Sequence, residues 1–159
     1  MMNAAYNSTY QIVQAPGYVM ILVEMIHDVR IIPLDGRPHL PENVRQWMGS
    51  YRGRWEGETL VVETTNFSDK TAFQGSSPNM RLTERFTRVD GDTVIYRFTV
   101  DDPATWTKPW SAELPMKKTI GPLFEHACHE ANYGLSNTLA GARAEDKRAA
   151  EEAAKKGLK

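Results

Sequence analysis

The strongest local signal for the fold lies in residues 81–101, which read RLTERFTRVDGDTVIYRFTVD. Asp90-Gly91 separates two strand-like runs, and this dipeptide is typical of a tight hairpin turn because glycine accepts positive φ. In the second run, Thr93, Arg97, Thr99 and Asp101 share one face, with Ile95 as an exception, and large side chains share the other: Val94, Tyr96, Phe98 and Val100. A period of two indicates one buried and one solvated face. We therefore predict an antiparallel hairpin over Arg81–Val89 and Thr93–Asp101.

Similar strand signals occur on both sides of this hairpin. Turn residues at Ala15-Pro16-Gly17 and at Glu56-Gly57 predict two more hairpins. The remaining predicted strands are Tyr10–Gln14, Tyr18–Ile26, Val29–Leu34, Arg52–Glu56, Thr59–Phe67, Trp110–Lys118 and Leu123–Glu130. Pro41 at a first helical position predicts a short helix over Glu42–Met48, and Ser68–Asn79 is predicted to be a long loop.

The pattern changes near the C-terminus. Leu139–Lys156 is rich in Ala, Glu, Lys and Arg, with Ser136 or Asn137 as the N-cap and Gly157 as the C-cap. These are good helix formers with suitable end residues. The run has little apolar surface beyond its alanines, so we predict a helix that adds little to the core.

The predicted elements indicate a mainly β protein. Eight or nine short strands followed by one helix favour an antiparallel, lipocalin-like (calycin-type) barrel with a C-terminal α-helix, because closure removes unpaired edges. A β-sandwich is the alternative. The predicted domain organisation is a β-barrel domain over residues 1–135 and a helical tail over residues 136–159.

Composition restricts the partners. The chain has 159 residues, with 19 Lys and Arg against 20 Asp and Glu, so it offers no basic excess for nucleic acid or an anionic membrane. No run approaches the roughly 18 apolar residues of a membrane helix. The single cysteine, Cys128, cannot form an intrachain disulfide. The expected partner is a small-molecule ligand, and a homo-oligomer is possible.

Four runs resemble those of a group of bacterial proteins that have no assigned activity and often carry an export signal. The runs are IHDVRIIPLDGRPHLP at 26–41, GRWEG at 53–57, TLVVETTNF at 59–67 and ACHE at 127–130. The likeness extends over roughly residues 8–145. It implies a periplasmic or secreted origin, although residues 1–9 lack the basic start and apolar centre of a signal peptide.

The first candidate site is a cluster of ionisable residues in an apolar strand region: Glu24, His27, Asp28 and Arg30. Charges buried among apolar neighbours need partners or titrate abnormally. We predict His27 as a general base, Asp28 as its orienting carboxylate and Arg30 as an anion clamp. The alternative is a hairpin end in which Asp28 bonds the turn and Arg30 neutralises it.

The second candidate site lies near the end of the β region. His129 and Glu130, with Tyr133 nearby, could form an acid–base pair. The local order of His126, His129 and Glu130 does not match the helical zinc-protease patterns. The alternative is a polar strand end before the helix.

Other candidates lie in loops. His39 stands between Pro38 and Pro41, which stiffen its loop. A divalent metal held by His27, His39 and His129 is an alternative to a cofactor-free site. The tryptophans Trp47, Trp55, Trp106 and Trp110 could stack on a ligand or cap the core.

These observations predict a small-molecule-binding β-barrel that could perform His/carboxylate acid–base chemistry on a partly apolar or sugar-like substrate. The reaction types that suit such residues are lyase, hydratase, isomerase and hydrolase chemistry. A ligand-binding module without catalysis, a metal-dependent enzyme and an assembly domain whose tail contacts a partner are the alternatives.

Overall fold

A computed structural model of the chain describes residues 8–70, 73–125 and 132–157. It divides into two units, residues 1–125 and residues 126–159. The first unit contains the described β-strands and the second contains the helix.

Three strands form the smaller sheet, in the order β1-β2-β3. β1 is Tyr10–Ala15, β2 is Tyr18–Val23 and β3 is Val29–Pro33, and both pairings are antiparallel. The predicted turn at Pro16-Gly17 joins β1 to β2, with Gly17 at φ 79°. A 3-10 turn, Met25–His27, joins β2 to β3, and β2 therefore ends before the predicted Ile26.

Five strands form the larger sheet in sequence order, and all pairings are antiparallel. They are β4 (Ser50–Glu56), β5 (Thr59–Thr65), β6 (Arg81–Arg88), β7 (Thr93–Asp101) and β8 (Trp110–Lys117). The predicted 81–101 hairpin is confirmed, with Phe86 opposite Tyr96 and Arg88 opposite Val94. The predicted inward positions of β7 are also confirmed, since Tyr96, Phe98 and Val100 are buried.

The two sheets pack face to face. Val19, Ile21 and Ile32 of the smaller sheet meet Leu60 and Val62 of the larger one in a single apolar cluster. A second cluster covers the β7–β8 half of the larger sheet with side chains from the loops, and its buried members are Phe67, Met80, Tyr96, Phe98 and Val100. The core therefore consists of a sheet-on-sheet half and a loop-on-sheet half.

Neither sheet closes within the described residues, because β1 and β3 remain edges of one sheet and β4 and β8 edges of the other. The mainly β fold with a C-terminal helix is as predicted. Two separate sheets support the β-sandwich alternative more than the closed lipocalin-like barrel. Closure would require β1 to pair with β8, and a cleft lies between these two strands.

The predicted helix at Glu42–Met48 is wrong, since this segment forms turns. The side-chain amide of Asn66 donates to the carbonyls of Leu40, Pro41 and Val44, and the backbone of Gln46 bonds Asn66. In a helix these three carbonyls would accept hydrogen bonds from backbone N–H groups four residues later in the chain. Here they accept from the Asn66 side chain instead. The predicted strand Leu123–Glu130 is absent over residues 123–125, and its remainder lies outside the described residues.

The second unit contains helix α1, Gly134–Gly157, which begins before the predicted Leu139 and ends at the predicted Gly157. Lys155 and Lys156 occupy its last turn, where cations interact favourably with the helix dipole. No helix in the described part of the chain is long and apolar enough to span a bilayer.

Candidate functional site

The ionisable cluster predicted around β2 and β3 divides into surface and interior positions. Glu24 is buried, whereas His27 is exposed on the 3-10 turn, with φ 43°. Asp28 is half-buried, and its Oδ1 accepts a hydrogen bond of 2.8 Å from the backbone of Val29. Asp28 therefore caps the start of β3, as the hairpin-end alternative describes. Arg30 points inward between the sheets.

Arg30 pairs with a carboxylate that was not among the predicted site residues. Its side chain is 3% exposed, and Glu84 on β6 is 0% exposed. Nη1 of Arg30 donates to Oε1 of Glu84 at 2.9 Å, and Nη2 donates to Oε2. The bidentate pair joins β3 of one sheet to β6 of the other.

Hydroxyl and aromatic groups complete the surroundings of this pair. Tyr96 donates from its hydroxyl to Oε1 of Glu84 at 2.9 Å. Arg30 lies over the ring of Tyr51, with its Cζ 4.8 Å from the centroid, and also donates to the hydroxyl of Thr64 at 3.4 Å. Bidentate geometry and additional hydrogen bonds are what a buried ion pair needs to offset its desolvation.

The electrostatics keep both partners charged. Burial alone raises the pKa of Glu84, but the charge of Arg30 and the hydrogen bonds from Arg30 and Tyr96 outweigh it and lower the pKa to about 2. Burial alone lowers the pKa of Arg30, and the charge of Glu84 reverses this, so that its net pKa is raised. Burial raises the pKa of Tyr51 to about 12 against the opposing effect of Arg30. None of these groups titrates near neutral pH, so the pair is a fixed structural element.

A cleft of about 350 Å³ opens where β1 faces β8, and we call it the seam cleft. Its apolar lining comes from both sheets: Ile12, Val19, Leu60, Phe86, Val94 and Met116. Tyr10 and Trp55 contribute aromatic rings to it. Pockets of this size lined mainly by apolar groups are typical small-molecule sites.

The seam cleft approaches the buried ion pair. A cavity of about 10 Å³ touches Arg30 and Glu84, and Tyr10, Phe86 and Met116 line both this cavity and the seam cleft. Nε of Arg30 is buried and has no hydrogen-bond partner among the described residues. The three shared side chains therefore separate the cleft from the ion pair.

Of the predicted tryptophans, Trp55 lines the seam cleft, whereas Trp47, Trp106 and Trp110 are not among its lining residues. Trp106 and Trp110 are half-buried and pack edge to face, with ring centroids 5.8 Å apart. Trp110 also packs against Phe98 at 5.6 Å, so these rings cover the core as the alternative describes. Trp47 is exposed in the loop before β4, and Tyr133 is exposed beside the start of α1.

The predicted histidine and acid–base residues do not form one cluster within the described ranges. His39 is half-buried in the loop before β4, and it lines a separate cleft. His129 and Glu130 lie outside the described residues, so their acid–base roles and the three-histidine metal site remain predictions. Over residues 8–70, 73–125 and 132–157, no group of three His, Cys, Asp or Glu side chains could hold a metal ion.

Glu84 is the residue that sequence reasoning missed. In β6 it alternates with Thr83 and Arg85 and shares its face with Leu82 and Phe86. A carboxylate at an apolar position of an amphipathic strand implies an inward charge that needs a partner. Arg30 gives the complementary signal on β3. Each residue is a charge at an inward-facing strand position, and the two charges are opposite. The sequence therefore contained a signal for an Arg30–Glu84 pair.

Comparison with known proteins supplies no relative, because no family model, curated protein or solved structure matches this chain.

Proposed function

We propose that this protein binds a small molecule with an apolar body and a negatively charged group, and that the seam cleft is the binding site. The observation that carries the proposal is a cleft of about 350 Å³ with apolar walls and a rim that holds three cationic and two anionic side chains. The proposal places the apolar body between the sheets and the charged group at the open end.

The apolar walls supply the driving force. Val19 and Leu60 form the base, and Phe86, Val94 and Met116 are half-buried beside them. Each square ångström of apolar surface removed from water is worth about 25 cal/mol. A ligand that covers the half-buried Phe86, Val94 and Met116 therefore gains affinity without needing a polar partner at the base.

The rim favours an anion. Arg88, Lys117 and Lys118 provide three positive charges, and Glu58 and Asp92 provide two negative charges. Arg88 is held by the carbonyls of Asp90 and Gly91, at 3.0 and 2.9 Å, so its charge has a fixed position. Lys118 is 72% exposed and forms an ion pair of 3.7 Å with Asp92 at the surface, a contact that a ligand carboxylate would compete for.

The buried ion pair supports a preformed cleft. Arg30 and Glu84 fix the spacing of β3 and β6, and the cavity beside them shares Tyr10, Phe86 and Met116 with the seam cleft. Because the walls are held in place, a ligand does not have to order them, and preorganisation of this kind raises affinity.

The ion pair of Arg30 with Glu84 favours the binding proposal over the acid–base alternative. Its guanidinium is bonded to Glu84, so it is not available as the predicted anion clamp. The acid–base reading requires His27 or His129 to act on a substrate with Asp28 or Glu130, and it remains the alternative. It predicts turnover, whereas the binding proposal predicts a stable complex.

Calorimetric titration with three ligands of equal chain length tests the proposal. Decanoate should bind most tightly, decanol several-fold more weakly and decyltrimethylammonium most weakly, because only the head group differs. Met116→Trp should reduce decanoate binding at least tenfold by filling the cleft. Met20→Trp is the matched control, since Met20 lies on β2 but not in the cleft lining.

A charge reversal tests the rim separately. Lys118→Glu should weaken decanoate several-fold and leave decanol unchanged, and Lys108→Glu, outside the cleft lining, should change neither. Equal decanoate affinity in the Met116→Trp and Met20→Trp variants would refute the seam cleft as the site. Equal affinity for decanoate and decyltrimethylammonium would refute the anionic ligand class.

A further inference from the structure

The outer face of the smaller sheet is apolar. Val19 and Ile21 of β2 point into the core, so the residues beside them on the strand point outward. The antiparallel register sets outward residues of β1 and β3 next to those of β2. The large apolar side chains on this side are Val13, Tyr18, Met20, Leu22, Val29 and Ile31. We call them the outer apolar face, and none of them lines the seam cleft.

The outer apolar face carries no charge. Arg30 is the one charged residue in β1, β2 and β3, and its side chain points inward to Glu84. The outer face of the larger sheet differs, because Arg54 and Glu63 form an ion pair there. A solvated face of an antiparallel sheet is usually polar. The smaller sheet instead has two apolar faces, of which the inner one packs on the larger sheet.

The outer apolar face is accessible and has the area of a small interface. Val13, Tyr18, Val29 and Ile31 are exposed. Strands about 4.8 Å apart, with six residues of about 3.3 Å each, give the face dimensions of roughly 14 by 20 Å. Two such faces would bury about 560 Å² in projection, and the standing side chains raise the accessible area toward the roughly 1,000 Å² at which a specific interface begins. This area suits a weak, reversible contact.

The absence of charge on this face restricts the kind of partner that fits. Docking on an anionic membrane surface needs basic side chains beside the apolar ones. Arg37 donates to the hydroxyl of Tyr18 at 3.4 Å, but it is paired with Asp35, so the two add no net positive charge. A partner with charged contact residues would leave them unpaired on burial, at a cost in binding free energy. The outer apolar face therefore fits an uncharged apolar surface.

A second copy of this chain supplies such a surface. Its outer apolar face has the same area and the same lack of charge, and two sheets can pack face to face about 10 Å apart. The net charge of the chain is -1 at pH 7, so two copies repel each other only weakly. We propose that the outer apolar face is a self-association surface, on which a second copy packs face to face to form a two-fold dimer.

Met20 lies at the centre of this dimer contact. It stands between Tyr18 and Leu22 on its own face of β2, and it is opposite Val13 on β1 and Ile31 on β3. A two-fold axis that gives the largest overlap of the two faces runs between the sheets and over this centre. Met20 of one copy then meets Met20 of the other, whichever direction the axis takes between the sheets.

Sedimentation velocity of the full chain over a hundredfold range of concentration tests the proposal. The parent chain should change from monomer to dimer as its concentration rises. Ile31→Lys should raise the dissociation constant of the dimer at least tenfold, because the ammonium would be buried against apolar side chains without a partner. Val89→Lys is the matched control, since Val89 is 56% exposed, Ile31 is 60% exposed, and Val89 follows β6 outside the outer apolar face. It should leave the dissociation constant unchanged.

A pair of opposite charges tests the two-fold arrangement. Met20→Lys and Met20→Glu should each be monomeric alone, because like charges would meet at the centre of the contact. An equimolar mixture of the two variants should dimerise again, since an ammonium then meets a carboxylate. Circular dichroism spectra that match the parent chain confirm that the variants are folded.

Four results would each overturn the proposal. A parent chain that stays monomeric at every concentration would exclude self-association, and equal dissociation constants for Ile31→Lys and Val89→Lys would place the dimer contact elsewhere. A mixture of the Met20 variants that stays monomeric would exclude the two-fold arrangement. A monomeric parent chain that co-sediments with phosphatidylcholine–phosphatidylglycerol vesicles would assign the face to a lipid surface. The seam cleft is tested separately, because the two sites share no residue.

Discussion

Replacement of Glu84 by glutamine is the sharpest test of the interior. The change keeps the shape of the side chain and removes its charge. Arg30, 3% exposed, then remains between the sheets without a counter-ion. The amide oxygen can still accept from Tyr96 and from Nη1 of Arg30, but the amide nitrogen that replaces Oε2 cannot accept from Nη2, so one hydrogen bond is lost together with the charge.

Two independent arguments give the expected loss of folding free energy in Glu84→Gln. Removal of one partner from a buried ion pair costs about 3–5 kcal/mol of folding free energy. The pKa of Glu84 falls from 4.5 to about 2 on folding, and at roughly 1.36 kcal/mol per pKa unit this difference corresponds to about 3 kcal/mol. Domains of this size are stable by about 5–15 kcal/mol, so Glu84→Gln should remove a large fraction of the total.

The pH dependence has a defined sign. A carboxylate whose pKa is lowered on folding stabilises the protein above its unfolded pKa, and this contribution is lost as the pH falls through the folded pKa. The parent chain should therefore lose the Glu84 contribution between about pH 4.5 and pH 2. The difference in stability between the parent and Glu84→Gln should be full at pH 7 and should shrink over that range.

Urea unfolding, monitored by tryptophan fluorescence, measures both effects. The double variant Arg30→Met/Glu84→Met should be more stable than Glu84→Gln, because it leaves no buried charge and removes the hydrogen bonds that Tyr96 and Thr64 make to the pair, a loss of about 1–3 kcal/mol. A loss below about 1 kcal/mol for Glu84→Gln, against the 3–5 kcal/mol expected for a buried pair, would show that Arg30 has another source of solvation. That result would refute the reasoning.

Three further variants test the packing. Gly53→Ala should lower the free energy of unfolding in urea by about 1–3 kcal/mol, because its Cβ would lie 2.7 Å from side-chain carbons of both Ile32 and Leu34. Gly91→Ala is the control, since nothing lies within 4 Å of its Cβ, and it should change stability little. Equal effects of the two variants would contradict the close approach at Gly53. Asp102→Ala should cost about 2 kcal/mol and speed cleavage of the 73–80 loop in limited proteolysis, because the buried carboxylate holds Ser77 through bonds of 2.6 and 2.8 Å; an unchanged cleavage rate would show that the loop is held otherwise. Deletion of residues 146–159 should shift the melting temperature only slightly, since this helical segment is rich in alanine, and a shift as large as that of Gly53→Ala would indicate packing on a partner.

Local signals predicted most of the strands. Asp90-Gly91 and Pro16-Gly17 each lie between two strands that are adjacent in sequence, so both hairpins were predicted. Gly17 has the expected positive φ, whereas Gly91 does not, and alternation of side chains is the signal that placed the 81–101 hairpin. The same reasoning failed for Glu42–Met48. There the backbone partners come from Asn66, about twenty residues away in the chain, and helix propensity carries no information about such a contact.

The candidate sites depend on contacts that local patterns do not encode. Arg30 was predicted as a site residue, but its partner Glu84 is 54 residues away and on the other sheet. The seam cleft exists because β1 and β8 do not pair, which is a property of how the two sheets meet. Met116 and Phe86 therefore gave no sign of lining a cleft.

The order of strands in the two sheets has a consequence for the kinetics of folding. Within each sheet every strand pairs with a neighbour in sequence, and most of these hairpins close a short loop at a small entropic cost; the longer β5–β6 connection over residues 66–80 is the exception. Docking of one sheet on the other is different, because the Arg30–Glu84 contact joins residues 54 positions apart. We therefore expect the sheets to form early and to dock late, with the ion pair absent from the transition state. On that pathway Glu84→Gln accelerates unfolding and leaves the folding rate nearly unchanged, so the buried pair determines how long the folded chain persists.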